Sequence, residues 1–447
     1  MPYFLVRGTT PLKGSVVISG AKNAAIKMIA ASLLTSEEVR LSNVPQIEDV
    51  RVDLEVAKSL GVKVEESGNT LRLRADDIGS FSIPSKLSQK TRAAILTLGP
   101  LLARFGKASL PPFGGCPIGL RPIDRHLKAL EALGAEISCE NGVIEAKAER
   151  LVGAPIRFSK TTVMGTENAI LASVLAEGGT TIFGAAQEPE VDDLIELLTK
   201  MGAEIQRSEE APGKIIIEGV ESLSGATHEV LPDRNEAVTF AVATAATRGD
   251  VTLEKVRPQD LTSFLSKFEA VGASYEVTGE KIRVWADSDT QFAPVDIETA
   301  PYPGFMTDWQ QPFSVLLTQA EGESVIQETV HAQRFGYLSE LEKMGAKVEL
   351  LTPTEAGIPF APEKYGFNWD SKEEPKVVAK IGGPTKLHGA EVEITDLRAG
   401  ATLVIAALAA EGESKITGIE HIDRGYENFA EKLRGLGAEI KRYVGFN

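Results

Sequence analysis

The sequence predicts an α/β protein of two domains, each built from three copies of one unit, with alanine-rich helices inside and sheets and amphipathic helices around them. Three observations carry this expectation. At 447 residues the chain exceeds what one hydrophobic core usually serves. An amphipathic helical pattern closed by a glycine and a short strand-like run recurs six times, at Gly61, Gly134, Gly202, Gly272, Gly345 and Gly437. Upstream of each stands an apolar, alanine-rich segment with a polar head.

The glycines follow one another at a step of about 70 residues until the last interval, and self-similarity at one period marks a repeat architecture. The last interval is longer because the Pro-, Lys- and Glu-rich stretch from Thr352 to about Leu387 is read as a surface loop inserted into the sixth unit. In VDDLIELLTKMGAEI, Leu194, Leu197, Leu198 and Met201 recur at spacings of three and four, the stripe of a surface helix. A glycine just past such a helix takes the left-handed cap conformation that other residues reach only with strain. The upstream segments are AKNAAIKMIAASLL, TRAAILTLGPLLA, TENAILASVLA, DRNEAVTFAVATAAT, DWQQPFSVLLTQA and DLRAGATLVIAALAA. Most are apolar around most of the circumference, which predicts buried helices. One unit therefore reads strand, buried helix, strand, surface helix, strand. The break between the two sets of three falls in THEVLPDR, Thr227 to Arg234.

Composition excludes several classes. Asp and Glu (63) outnumber Lys and Arg (47), the net charge is −16, and no basic block occurs, so neither nucleic acid nor an anionic membrane surface is an expected partner. The start, MPYFLVRGTTPLKG, lacks the parts of a signal peptide, and the longest apolar runs are too short to span a bilayer. A cytoplasmic protein is expected. Two cysteines, Cys116 and Cys139, make no disulfide framework and read as free thiols. The five histidines are scattered without metal-ligand spacing, so no metal and no cofactor are expected.

The polar heads of the buried helices are where chemistry can lie. In order they carry Lys22 and Asn23, Arg92, Glu167 and Asn168, Arg234 and Glu236, Asp308, then Asp396 and Arg398. Before the amphipathic helices stand Arg121, Arg334 and Arg424, in RPID, RFGY and RGYE. Any one of these arginines alone reads as a surface or capping residue. Repeated at equivalent junctions of an acidic chain, forked guanidinium groups and helix N-termini suit a ligand with phosphate and carboxylate. Cys139 in EISCENG reads as a structural or strand-end residue. Cys116, in LPPFGGCPIGLRPIDRH, lies in a Gly- and Pro-rich loop near Arg121, surroundings that suit a reactive thiol as readily as a structural one.

The runs SGAKNAA (Ser19 to Ala25), GGCPIGLRPID (Gly114 to Asp124), PGFMTDWQ (Pro303 to Gln310), TDLRAGA (Thr395 to Ala401) and HIDRGYE (His421 to Glu427) closely resemble, in order and spacing, the UDP-N-acetylglucosamine enolpyruvyl transferases of the enolpyruvyl transferase family. The resemblance implies an inside-out α/β barrel fold of six βαβαββ-type units in two pseudo-threefold domains. These would be residues 21–230 and residues 1–20 plus 231–447, with the active site in the cleft between them. It implies transfer of the enolpyruvyl group of phosphoenolpyruvate to the 3-hydroxyl of UDP-N-acetylglucosamine with release of phosphate, the first committed step of peptidoglycan precursor synthesis and a target of fosfomycin. By matched position, Cys116 would protonate the methylene carbon and Asp308 would act as base at the 3-hydroxyl. Lys22, Arg92, Arg121, Arg334, Arg398 and Arg424 would surround phosphate and carboxylate, and Asn23 and Asp396 would orient substrate and catalytic groups. Pro122, Ile123, Asp124, Arg125, Lys160, Thr162, Val163 and Val330 would bind substrate. Met164 and Arg125 depart from the family's usual glycine and leucine-like residue. The alternatives are a transferase acting on shikimate 3-phosphate, which would show a Lys-Ser pair in place of Lys22-Asn23 and no cysteine loop, and a non-catalytic sugar-nucleotide binder, which should have lost Cys116, Asp308 or an arginine. No oligomeric state follows.

Overall fold

The computed structural model describes residues 2–114, 123–367, 369 and 373–444. These form two compact units, one of the described residues from Gly20 to Leu231, the other of those up to Ser19 and from Pro232 onward. All six repeated glycines hold left-handed backbone, with φ from 93° to 114°. An L side chain there would be strained, so the same residue recurs at each helix end.

In the first unit the helix Lys22–Ala31, the 3-10 turn Ala93–Thr97 leading into the helix Leu98–Phe105, and the helix Val163–Ser173 are buried along most of their length. Leu98–Phe105 and Val163–Ser173 pack closely because Gly99 has no side chain: a Cβ there would lie 2.6 Å from Asn168 Oδ1, the atom that accepts the Gly99 amide at 3.0 Å. In the second unit the helices Arg234–Ala246, Thr307–Leu317 and Leu397–Ala409 each pack on the other two. Polar heads begin three of these helices as caps. Thr162 Oγ1 accepts the Gly165 amide at 3.3 Å, Asp233 Oδ1 accepts those of Asn235 and Glu236 at 2.7 and 3.1 Å, and Asp396 Oδ1 accepts those of Arg398 and Ala399 at 2.9 and 3.2 Å. Each satisfies amides that the helix start leaves unpaired, worth about 1 kcal/mol per cap.

Among the described residues, three sheets surround the helices of each unit. The four-stranded sheets share one order, with an edge strand parallel to its neighbour and the next two antiparallel; in one, Ile182 faces Ile156 across the parallel pair and Ile215 across the antiparallel one. The start of the chain completes two sheets of the second unit. Tyr3–Arg7 lies between Glu413–Thr417 and Glu439–Tyr443, and Lys13–Val17 runs parallel to Asp250–Glu254.

Two readings of the sequence are corrected. The surface helix is followed by a hairpin, in keeping with the βαβαββ unit that the resemblance implies and not with the single strand read from periodicity, as where Lys63–Ser67 turns at Gly68 (φ 56°) into Thr70–Arg74. The proposed inserted loop ends before Leu387, because Val378–Gly383 is an inner strand between Gly322–Gln327 and Lys347–Leu351. Val378, Ala379 and Ile381 are buried there, and the short run was hidden by the charged residues before it. Among the described residues, no helix is long and apolar enough to cross a membrane.

Candidate active site

In the second unit Arg334 and Arg398 meet at Asp308. It sits in the first turn of Thr307–Leu317, which favours a negative charge. Arg398 sits in the first turn of Leu397–Ala409, and Arg334 lies between the strand Gly322–Gln327 and the helix Leu338–Lys343. Arg334 Nη2 donates to Asp308 Oδ1 at 2.5 Å and Arg398 Nε donates to the same oxygen at 3.2 Å. Both arginine side chains are buried, 4 % and 5 % exposed, whereas that of Asp308 keeps 22 %. Burial alone would raise the Asp308 carboxyl, but Arg334, Arg398 and His331 outweigh it and hold the group well below the usual carboxylate range. Burial likewise works against the charge on Arg398, and Tyr426, Asp308 and Asp233 outweigh it.

The guanidinium groups are held in place and not exhausted. Arg398 lies 5.3 Å from the ring centroid of Tyr426, whose hydroxyl meets Thr239 Oγ1 at 2.8 Å. The Arg334 carbonyl accepts Gln311 Nε2 at 2.9 Å. Arg334 Nε and Arg398 Nη1 are buried without a hydrogen-bond partner among the described residues. Two buried cations with free N–H groups and one shared carboxylate suit an added anion rich in oxygen. Asp396 caps the Arg398 helix, Val330 donates its amide to Glu328 Oε1 at 2.7 Å, and Arg424 lies half-buried at the end of the short helix Glu420–Asp423.

The first unit carries two further groups. Lys22 Nζ lies 2.6 Å from Asp49 Oδ2, with Asp53 and Lys27 near, and Asn23 is half-buried in the same helical turn. Elsewhere Ile123 and Asp124 open the helix Asp124–Ala132, and Arg125 reaches from it to the Thr161 carbonyl at 3.4 Å. Burial and Arg125 both lower the Lys160 ammonium, which places Lys160 beside Arg125, next to the Thr162 cap and Val163. Arg92 stacks on Phe113, 5.0 Å from the ring centroid. With Arg125, and against the pull of Asp124, it adds to burial in lowering the nearby His126 to about 4. Cys116, Arg121 and Pro122 lie outside the described residues. Cys139 is exposed near the end of the strand Glu136–Glu140, so it is the strand-end residue and not a core thiol.

Sequence reasoning missed Asp49, Asp53 and Glu328, because nothing local separates a buried carboxylate from a solvated one. Asp53 gives a measurable signature. Burial raises its carboxyl and Asp49 adds to this; the Thr91 hydrogen bond, Lys22 and Lys27 oppose, and the group stands at about 7. The folded state then binds the proton more tightly than the unfolded chain, where the group titrates at its ordinary 3.8. The stability it contributes is complete below that value and is lost as pH climbs through about 7. Glu167, also raised to about 7 by its burial against the opposing pull of Lys27 3.1 Å away, acts in the same direction. Asp53→Asn is therefore expected to flatten part of the fall in Tm between about pH 5 and 7.5, measured by thermal melts; an unchanged slope would show that Asp53 does not titrate there.

The profile of the EPSP synthase (3-phosphoshikimate 1-carboxyvinyltransferase) family matches residues 6–433. A UDP-N-acetylglucosamine 1-carboxyvinyltransferase of Acidobacterium capsulatum is 43% identical over 99% of this chain and 96% of its own length. Among solved structures, the enolpyruvyl transferase NikO from Streptomyces tendae superposes with a TM-score of 0.85 at 24% identity, covering 99% of this chain and 98% of its own. An EPSP synthase from Acinetobacter baumannii gives 0.73 at 19% identity, covering 99% and 100%. These two likenesses establish the fold, and the family profile and the 43% identical relative show that the chain belongs to the EPSP synthase family of enolpyruvyl transferases.

Proposed function

We propose that this chain transfers the enolpyruvyl group of phosphoenolpyruvate to the 3-hydroxyl of UDP-N-acetylglucosamine, releasing phosphate. The observation that carries the reading is Asp308 held between two buried arginines that keep free N–H groups. In the addition step a proton reaches C3 of phosphoenolpyruvate, the sugar oxygen bonds to C2, and the hydroxyl proton passes to Asp308. In the elimination step the C2–O bond to phosphate breaks and C3 gives up a proton, restoring the double bond. Protonation at C3 builds positive charge at C2, so an acid, a base and cations for the departing phosphate are all required.

Asp308 between two guanidinium groups is a weak base. An arriving phosphate or carboxylate competes for the same N–H donors, and each donor withdrawn from Asp308 raises its proton affinity. The carboxylate thus becomes an effective base when the anion is in place. Cys116 as the acid at C3 and Arg121 and Arg424 on the anion are supported by matched position in the motifs; the Lys160–Thr162–Val163 and Arg125 group, supported by its clustering in the first unit, completes the assignment on the nucleotide. The acceptor is supported by the 43% identical relative and by Lys22-Asn23 in place of Lys-Ser. Under this reading the protein serves peptidoglycan precursor synthesis in the cytoplasm, and through it cell shape and division.

Phosphate release from phosphoenolpyruvate, followed with and without UDP-N-acetylglucosamine, tests this directly. Release is expected only with the acceptor, and shikimate 3-phosphate should not replace it. No acceptor-dependent release would reject the assignment.

A further inference from the structure

We propose that Glu328 is a positioning residue for this reaction: its carboxylate ties the head of the Asp308 helix to the segment that carries Val330 and Arg334. The proposal rests on the enolpyruvyl transfer reading above. Glu328 follows the strand Gly322–Gln327 and is fully buried. Its Oε2 accepts from Thr307 Oγ1 at 2.8 Å. Its Oε1 accepts from Thr299 Oγ1 at 2.9 Å, the Val330 amide at 2.7 Å and the His331 amide at 3.0 Å. Two hydroxyls and two amides thus surround one carboxylate, a costly burial that only a full set of donors offsets.

The placement of these donors gives the role. Thr307 immediately precedes Asp308, and Val330 and His331 begin the segment that runs to Arg334. Both partners of the Asp308–Arg334 contact are therefore carried by backbone that converges on the same two oxygens. The segment is also held by groups outside it. Gln327 Nε2 donates to the Tyr365 hydroxyl at 3.0 Å, the Gly366 amide donates to the Thr329 carbonyl at 2.7 Å, and the Glu328 amide donates to the Val377 carbonyl at 2.8 Å. Together with the Gln311–Arg334 carbonyl contact, the carboxylate sets how far Asp308 stands from Arg334, and a misplacement of about 1 Å at a reacting group costs about 10²-fold in rate.

Glu328→Gln tests this, because it keeps the shape but turns one acceptor into a donor facing donors. Acceptor-dependent kcat should fall about 10-fold or more in the wild-type background and under about 2-fold when Asp308 is already Asn, since the loss acts through Asp308. Unchanged kcat, or equal losses in both backgrounds, would overturn the role. If Glu328→Gln does not fold, Thr307→Val removes a single donor and is read through the same cycle. If the wild type itself shows no acceptor-dependent release, the functional reading fails. The positioning claim is then decided by a crystal structure of the variant: an Asp308–Arg334 gap beyond about 4 Å, out of hydrogen-bond reach, sustains it, and an unchanged contact overturns it.

Discussion

Asp308→Ala is expected to lower kcat by about 10²-fold or more, the usual scale for losing an acid or base group. The Michaelis constant for phosphoenolpyruvate should not rise. Removing the carboxylate frees two more guanidinium donors on Arg334 and Arg398, so the anion should bind as well as before or more tightly. A fall in kcat with a constant or lower KM is the signature of a group that acts on the proton and not on substrate capture. Because the substitution leaves two buried cations without their counter-ion, Asp308→Asn should be measured beside it, as it keeps an acceptor oxygen without the charge. Wild-type turnover in both variants would remove Asp308 from the chemistry. A large rise in KM at constant kcat would make it a binding residue instead.

Cys116→Ala should have a comparable effect, and Cys116→Asp should separate two properties of the thiol. An epoxide that mimics phosphoenolpyruvate, such as fosfomycin, needs a nucleophilic sulfur for ring opening. A carboxyl at that position can still donate a proton if a closed site raises its pKa, but it opens an epoxide far less readily. The Asp variant is therefore expected to keep part of the activity and to resist the inhibitor. Mass spectrometry of the wild type after treatment should show one adduct on the Cys116 peptide and none at Cys139, although Cys139 is exposed, because an anionic analogue of phosphoenolpyruvate is drawn in by the arginines expected to surround that substrate. Labelling at Cys139 alone, or full activity in Cys116→Ala, would make Cys116 a structural residue.

Much of the fold was legible because it is written in local rules. The helix-ending glycines and the apolar helices each depend on a few neighbouring residues. The hairpins and the strand Val378–Gly383 were harder, since a short apolar run looks alike in a strand, a turn or a loop until its partners are known. At the site, the resemblance singled out Asp308, Arg334 and Arg398 as residues, without their geometry.

The sequence by itself determined that six similar units exist, where their helices end, and which side chains stand at the helix heads. Tertiary structure alone decided that Asp308 meets Arg334, 26 positions away, and Arg398, 90 positions away. It also decided that Glu328 and Asp53 are buried carboxylates. The physical reason is that a charge takes its proton affinity and its partners from separation in space and from excluded water, and both arise only when the helices, strands and connecting segments of a unit pack together.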